Sequence, residues 1–149
     1  MRVLTMREET LFCIASSPTE MTGLDEELDR LMPQLEAAKD AAGLGQVGPV
    51  VIRYFPTGEP DTYVMEVGVP VRAGTPAAGA AQVKTLPSFR CAALLHWGSL
   101  EHIGQAYETL FEAVKAASLE PGGEGREWYY HFEGDASPNN IIGLQLEVH

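Results

Sequence analysis

Two glutamates are the groups in this sequence that could do chemistry. Glu66 lies in the run 63–71, where apolar residues alternate with other types, and Glu127 lies in the aromatic run 126–132. Because side chains alternate across a strand, Glu66 belongs to the less apolar face of its strand. It is either a solvated surface residue or the charged floor of a cleft.

A carboxylate in a half-buried aromatic cleft is costly to ionise without a partner. It therefore either attracts a cation or takes up a proton and serves as a general acid or base. The first outcome predicts a binding protein. The second predicts a hydrolase with Glu66 and Glu127 as the catalytic pair, one activating water and the other protonating a leaving group. Gly68, on the same strand face as Glu66, leaves room for a ligand.

Aromatic side chains elsewhere in the chain are candidates for the walls of such a pocket. Rings attract cations and stack on flat molecules, but they are also common in protein cores. The candidates are Tyr54, Trp97, Tyr107, Trp128, Tyr129 and Tyr130, with His96 as a hydrogen-bond donor. Tyr107 lies on the apolar stripe of a predicted helix, which favours a core position.

Charge and composition exclude several classes of function. The chain has 10 Lys and Arg against 21 Asp and Glu, a net charge of -11. This charge repels phosphate backbones, so we expect no nucleic-acid partner. No apolar run approaches the roughly 20 residues of a membrane span, and the N-terminus lacks the pattern of a signal peptide. The sequence therefore predicts a cytoplasmic protein with no membrane partner.

The cysteines and histidines give no sign of a metal or cofactor site. Cys13 and Cys91 lie in apolar segments without a CxxC motif, as is typical of buried reduced thiols. The histidines lack the spacing of metal ligands. We therefore expect no metal and no cofactor.

The order of elements predicts a strand, a helix and two strands, followed by the same set again. Strand-like patterns occupy 3–16, 50–55, 63–71, 83–97, 126–132 and 140–148, and helical patterns lie between 22 and 43 and between 99 and 120. The strand with Met65, Val67, Val69 and Val71 has a second copy near the C-terminus, with Ile142, Leu144, Leu146 and Val148 in the same places. Gly143 then occupies the place of Glu66.

This pattern predicts an α+β fold of two β-α-β-β repeats related by a pseudo-twofold axis. Both helices would lie on one face of an antiparallel sheet, with a ligand cleft between the repeats. We expect one domain over 1–149, with repeats at about 1–72 and about 82–149. The segment 73–81 is small and flexible in composition, which suits a linker.

The sequence resembles the GyrI-like small-molecule-binding domain, which is also the effector-binding domain of multidrug-responsive MerR- and AraC-type transcription regulators. The resemblance rests on motifs in order along the chain: Gly48-Pro49 before Tyr54, 66–71, His96-Trp-Gly98, Tyr107-Glu-Thr-Leu110 and Arg126-Glu-Trp-Tyr129. It implies a central cleft for lipophilic, often cationic, aromatic compounds, lined by Tyr54 and Tyr129. No helix-turn-helix is found in the sequence, so the resemblance is to a stand-alone copy.

One position departs from the family's pattern. The glutamate that meets the ligand cation in the regulators aligns with Gly143, so that role has moved to Glu66 or Glu127, or is lost. Our main hypothesis is a drug- or metabolite-binding protein that is monomeric or weakly dimeric. The alternatives are a hydrolase of reactive electrophiles, such as cyclopropane-bearing natural products, and a protein-binding gyrase modulator.

Overall fold

The structure is a computed structural model that describes residues 1–45 and 48–149. The chain forms two compact units, and each consists of one helix and an antiparallel sheet. The α1 unit comprises Glu8–Pro87, and the α2 unit comprises Met1–Arg7 with Ser88–His149. The α+β class predicted from the sequence is confirmed. Within the described residues, no helix is both long and apolar enough to cross a membrane.

The α1 unit has a sheet of four main strands and one long helix. Its elements in chain order are β2 (Glu9–Ala15), β3 (Thr19–Glu20), α1 (Leu24–Ala41), β4 (Val50–Pro56), β5 (Thr62–Pro70) and β6 (Gln82–Leu86). The strands run in the order β4-β5-β2-β6, and the short β3 also pairs with β5. The helix α1 contacts β2 and β5 and buries Leu31 and Leu35 completely.

The α2 unit has the same plan. Its elements are β1 (Arg2–Met6), β7 (Phe89–Trp97), α2 (Ile103–Ala116), β8 (Pro121–His131) and β9 (Ile141–Val148). The strands run in the order β1-β7-β9-β8. Leu110 and Val114 of α2 pack in one buried cluster with Ile142 and Leu144 of β9. The face of the sheet that carries Ile142 and Leu144 is therefore the helix face, and we call the opposite one the open face.

The predicted β-α-β-β order is present in both units, but the α2 unit has one further strand, β1, and the α1 unit has two, β6 and the short β3. The sequence pattern predicts continuous strands over 3–16 and 83–97, whereas the structure breaks them at 7–8 and 87–88. The chain passes from one unit to the other at these two points. As a result β1 pairs with β7 and β6 pairs with β2, so the compact units do not coincide with the halves expected at 1–72 and 82–149.

Candidate functional site

A buried carboxylate in the α2 unit is held by two tyrosines. Glu127 of β8 is almost inaccessible to solvent. The hydroxyl of Tyr107, on α2, donates to Oε2 of Glu127, and the hydroxyl of Tyr129 donates to Oε1 at 2.9 Å. Both oxygens of the carboxylate therefore accept a phenolic hydrogen bond, which lowers the cost of burying the group. We call Tyr107, Glu127 and Tyr129 the Glu127 cluster.

The local geometry of a strand and a helix explains how these three side chains meet. Glu127 and Tyr129 are two residues apart on β8, so they share one face of the sheet. They lie opposite Leu144 and Ile142 of β9, which places them on the helix face. Tyr107 precedes Leu110 by three residues on α2, a spacing that puts both on the side of the helix facing the sheet.

Two further aromatic rings continue the Glu127 cluster towards solvent. Phe111 stacks on Tyr107 with ring centroids 6.1 Å apart, and Phe132 meets Tyr129 edge to face at 5.7 Å. Phe111 and Phe132 are both about half exposed. The carboxyl group of Glu127 thus lies at the inner end of a set of rings that reaches the surface. Both the carboxylate and the ring faces attract an organic cation.

Glu66 has a different environment in the α1 unit. Its side chain has no solvent exposure, and it forms ion pairs with Arg53 of β4 through Oε1 and with Lys84 of β6 through Oε2. Arg53 is buried too, whereas the Lys84 side chain is about one-third exposed. Glu66 is therefore bound by two cations from its own unit and is covered from solvent.

The space that the sequence predicts beside Gly68 is filled. Gly68 pairs with Cys13 across the sheet, and a Cβ atom at Gly68 would lie 2.8 Å from the Cβ of Cys13. Burial, and then the charge of Glu66, raise the pKa of the Cys13 thiol to about 12. This face of the α1 unit consequently holds a packed, neutral thiol beside a paired carboxylate.

Tyr54 and Glu66 lie on opposite faces of the α1 unit's sheet. Tyr54 pairs with Met65, whereas Arg53 pairs with Glu66, and neighbours along a strand point to opposite sides. Tyr54 is half-buried and shares its face with Met65. Within the α1 unit, therefore, the predicted ring and the predicted carboxylate do not line one surface.

The remaining predicted residues lie in the α2 unit but outside the Glu127 cluster. His96 is buried, and its Nε2 lies 2.9 Å from the carbonyl oxygen of Ser99, which ties the end of β7 to the turn before α2. Trp128 is buried on the open face and donates from Nε1 to Oε1 of Gln145 at 3.2 Å. Trp97 lies on the open face as well and is 66% exposed.

Of the residues predicted for the site, the structure therefore brings together Tyr107, Glu127 and Tyr129. Arg53 and Lys84, the partners of Glu66, were not predicted, and neither were Phe111 and Phe132. The signal for Arg53 was present, because it is the single charged residue in the apolar run 50–55. No sequence signal pointed to Lys84. It reaches Glu66 across β2, and the order of strands in the sheet cannot be predicted from the sequence.

Comparisons with known proteins agree on one family. Residues 10–146 match the model of the GyrI-like family, described as a small molecule binding domain. Among solved structures, SAV2435 bound to tetraphenylphosphonium is similar with a TM-score of 0.74 at 14% identity, and covers 99% of this chain and 93% of its own. The C-terminal domain of EcmrR is similar with a TM-score of 0.74 at 13% identity, over 99% and 96% of the two chains.

A third similar structure is a hydrolase from Listeria innocua. Its TM-score is 0.65 at 10% identity, and the match covers 99% of this chain and 91% of that one. At these identities the three structures establish the shared fold. Among curated proteins, none matches the chain.

Proposed function

The chain belongs to the GyrI-like family of small molecule binding domains, and from this premise we propose that it binds a lipophilic aromatic cation at the Glu127 cluster. The observation that carries the proposal is the buried carboxylate of Glu127 between the hydroxyls of Tyr107 and Tyr129. The cation-bound relative SAV2435 supports this ligand class. A cation that is large and apolar loses little hydration on entering such a site, so the charge of Glu127 and the rings both favour it.

The proposal assigns the cation to Glu127 rather than to Glu66. Glu66 is already paired with Arg53 and Lys84, and a ligand would have to displace one of these cations from a side chain with no exposure. Removing one partner of a buried ion pair is expensive, because the other charge is left uncompensated. Glu66 is thus a structural residue in this proposal.

Titration calorimetry with tetraphenylphosphonium tests the proposal. We expect Glu127→Gln to weaken binding by about tenfold or more, equivalent to about 1.4 kcal/mol. The matched control is Glu112→Gln, which removes the same charge from an exposed position on α2. Tetraphenylborate, which has the same shape and the opposite charge, should not bind. Equal affinity of wild-type protein and Glu127→Gln would overturn the assignment of the cation to Glu127.

A hydrolase is the second candidate, and the Glu127 cluster is again the group that favours it. A carboxylate hydrogen-bonded to tyrosyl hydroxyls can activate water while a hydroxyl donates a proton to a leaving group. The predicted Glu66–Glu127 pair is less suitable, since Glu66 is bound by two cations. Conversion of styrene oxide to its diol by wild-type protein, and its loss in Glu127→Gln and in Tyr107→Phe, would support this candidate over binding alone.

A further inference from the structure

The open face of the α2 unit carries an apolar surface at the end where β7 finishes. Leu95 and Trp97 are two residues apart on β7 and project from this face, 51% and 66% exposed. The Tyr130 ring, half exposed, lies over Gly143, which pairs directly with Leu95. Contiguous exposed apolar surface of this kind marks interaction sites on soluble proteins. We call Leu95, Trp97 and Tyr130 the open-face patch.

A carboxylate borders the open-face patch. Trp97 pairs with Ile141, and Ile141 pairs with His131 on the other side, so these three residues form one row across the open face. Adjacent strands are about 4.8 Å apart, which puts Trp97 and His131 about 10 Å from each other. Nε2 of His131 lies 3.1 Å from Oε1 of Glu133, so the carboxylate of Glu133 is next to this row.

Glu133 is held in place and kept ionised by its neighbours. Oε2 accepts hydrogen bonds from Ser137 at 2.8 Å and from Asn139 at 2.9 Å, in addition to the His131 contact at Oε1. Hydrogen bonds from Asn139, His131 and Ser137 lower its pKa to about 2. The side chain is nevertheless 44% exposed. A fixed negative charge therefore stands beside exposed rings on a protein whose net charge is already -11.

We propose that the open-face patch and Glu133 together form a docking surface for a partner protein that presents an arginine-bearing segment. A guanidinium group can stack on the Trp97 or Tyr130 ring, and a guanidinium of the same segment can form an ion pair with Glu133. An apolar or acidic segment offers neither contact. Trp, Tyr and Arg are also the residues that contribute most to the affinity of protein interfaces. The surface is on the face opposite the Glu127 cluster, so this proposal goes beyond ligand binding.

The test uses a fluorescently labelled peptide of alternating arginine and leucine, and measures its binding by anisotropy. We expect wild-type protein to bind it, and Trp97→Ala and Glu133→Gln each to weaken binding by about tenfold. The matched controls are Glu112→Gln, which removes one exposed charge elsewhere, and Met21→Ala, which removes an exposed apolar side chain in the α1 unit. Both controls should bind as the wild type does.

Several outcomes would overturn the proposal. Equal binding by all variants would mean that the peptide senses the net charge alone. Equal binding of a glutamate–leucine peptide would mean that the surface selects no cation. The absence of binding to folded wild-type protein would reject the arginine-bearing partner, and dimerisation lost in Trp97→Ala would make a second copy the occupant. Tetraphenylphosphonium affinity should stay unchanged in Trp97→Ala, which separates this test from that of the Glu127 cluster.

Discussion

The ring of Tyr130 occupies the space above Gly143, so that a Cβ atom at Gly143 would lie 2.6 Å from Cε2 of Tyr130. Gly68, on the corresponding strand of the α1 unit, is crowded by different atoms: the Cβ of Cys13 at 2.8 Å and the backbone oxygen of Phe12 at 2.9 Å. A half-exposed tyrosine ring can move aside, whereas a backbone oxygen in a sheet cannot. A side chain at Gly68 should therefore destabilise the fold more than a side chain at Gly143.

We expect Gly68→Ala to lower the free energy of unfolding by about 1–3 kcal/mol, the usual cost of overpacking, and Gly143→Ala to lower it by less. Urea denaturation measures both. The cost of Gly143→Ala should fall further in a Tyr130→Ala background, because the ring that it meets is then absent. An unchanged cost in that background would show that Tyr130 is not the obstacle.

Replacement of Glu66 tests its structural role. Glu66→Gln removes the buried carboxylate that pairs with both Arg53 and Lys84, and we expect a loss of about 3–5 kcal/mol in the free energy of unfolding. Lys84→Met should cost less than Glu66→Gln, because Lys84 is one-third exposed and Glu66 keeps its ion pair with Arg53. Glu59→Gln, in an exposed turn, is the control and should change stability by less than about 0.5 kcal/mol. A Glu66→Gln variant as stable as the wild type would contradict this role.

The same variant distinguishes the two glutamates as cation sites. Where Glu66→Gln remains folded, its affinity for tetraphenylphosphonium should equal that of the wild type, since the ligand is assigned to Glu127. A tenfold loss of affinity in folded Glu66→Gln would instead return the cation to Glu66, as the sequence alone allows.

The elements of each unit were predictable because their signals are local. Alternation of apolar residues predicts β5 and β9, and helical spacing predicts α1 and α2. The pairing of β1 with β7 and of β6 with β2 was not predictable, since nearly all of the α1 unit's sequence separates Met6 from Phe89 and Glu9 from Leu86. Pairing over such distances depends on the whole sheet and leaves no mark in a short window of sequence.

The internal repeat, too, was only partly detectable in the sequence. β5 and β9 correspond position by position, with Glu66 in the place of Gly143, but Arg53 pairs with Glu66 whereas Trp128 pairs with Gly143. The second hairpin thus has two more residues between paired positions, and a β-bulge interrupts β8 between Tyr129 and His131. An alignment of the two halves at one constant offset therefore misplaces β8 by two residues.

The candidate site, too, was predictable only in part from the sequence. Glu127 and Tyr129 were predictable as one surface, because residues two apart on a strand share a face. Their contact with Tyr107 joins a strand to a helix, and the helical spacing of that ring favours a core position instead. Glu66 resembles a cleft carboxylate in the sequence because its two cations lie on other strands, Arg53 on β4 and Lys84 on β6.

The two cysteines should be unreactive in the folded protein. Burial raises the pKa of both thiols, and that of Cys13 reaches about 12. At about pH 8 the reactive thiolate is then scarce and also shielded. We expect iodoacetamide to label neither residue in native protein and both in urea, as followed by mass spectrometry. Ser17→Cys, exposed in the α1 unit, is the positive control and should be labelled at once; rapid native labelling of Cys13 would contradict its packing.

Glu133 should make the free energy of unfolding depend on pH in the acidic range. Its pKa is about 2 in the folded chain against an ordinary value of 4.5, so the folded state favours the ionised form. The stabilisation is fully present above pH of about 4.5 and is lost as the pH falls towards about 2, because the unfolded chain takes up the proton first. Glu133→Gln should therefore show a shallower loss of unfolding free energy over this range than the wild type.

The donors to Glu133 provide the internal check on this pH dependence. Ser137→Ala removes the hydroxyl that donates to Oε2, and should move the midpoint of the Glu133 titration upwards, as measured by carboxyl carbon NMR. Glu112→Gln, on the exposed side of α2, should leave the titration unchanged. If Glu133 titrates at the same pH in Ser137→Ala as in the wild type, the hydrogen bonds of this loop are not what keeps the carboxylate ionised beside the open-face patch.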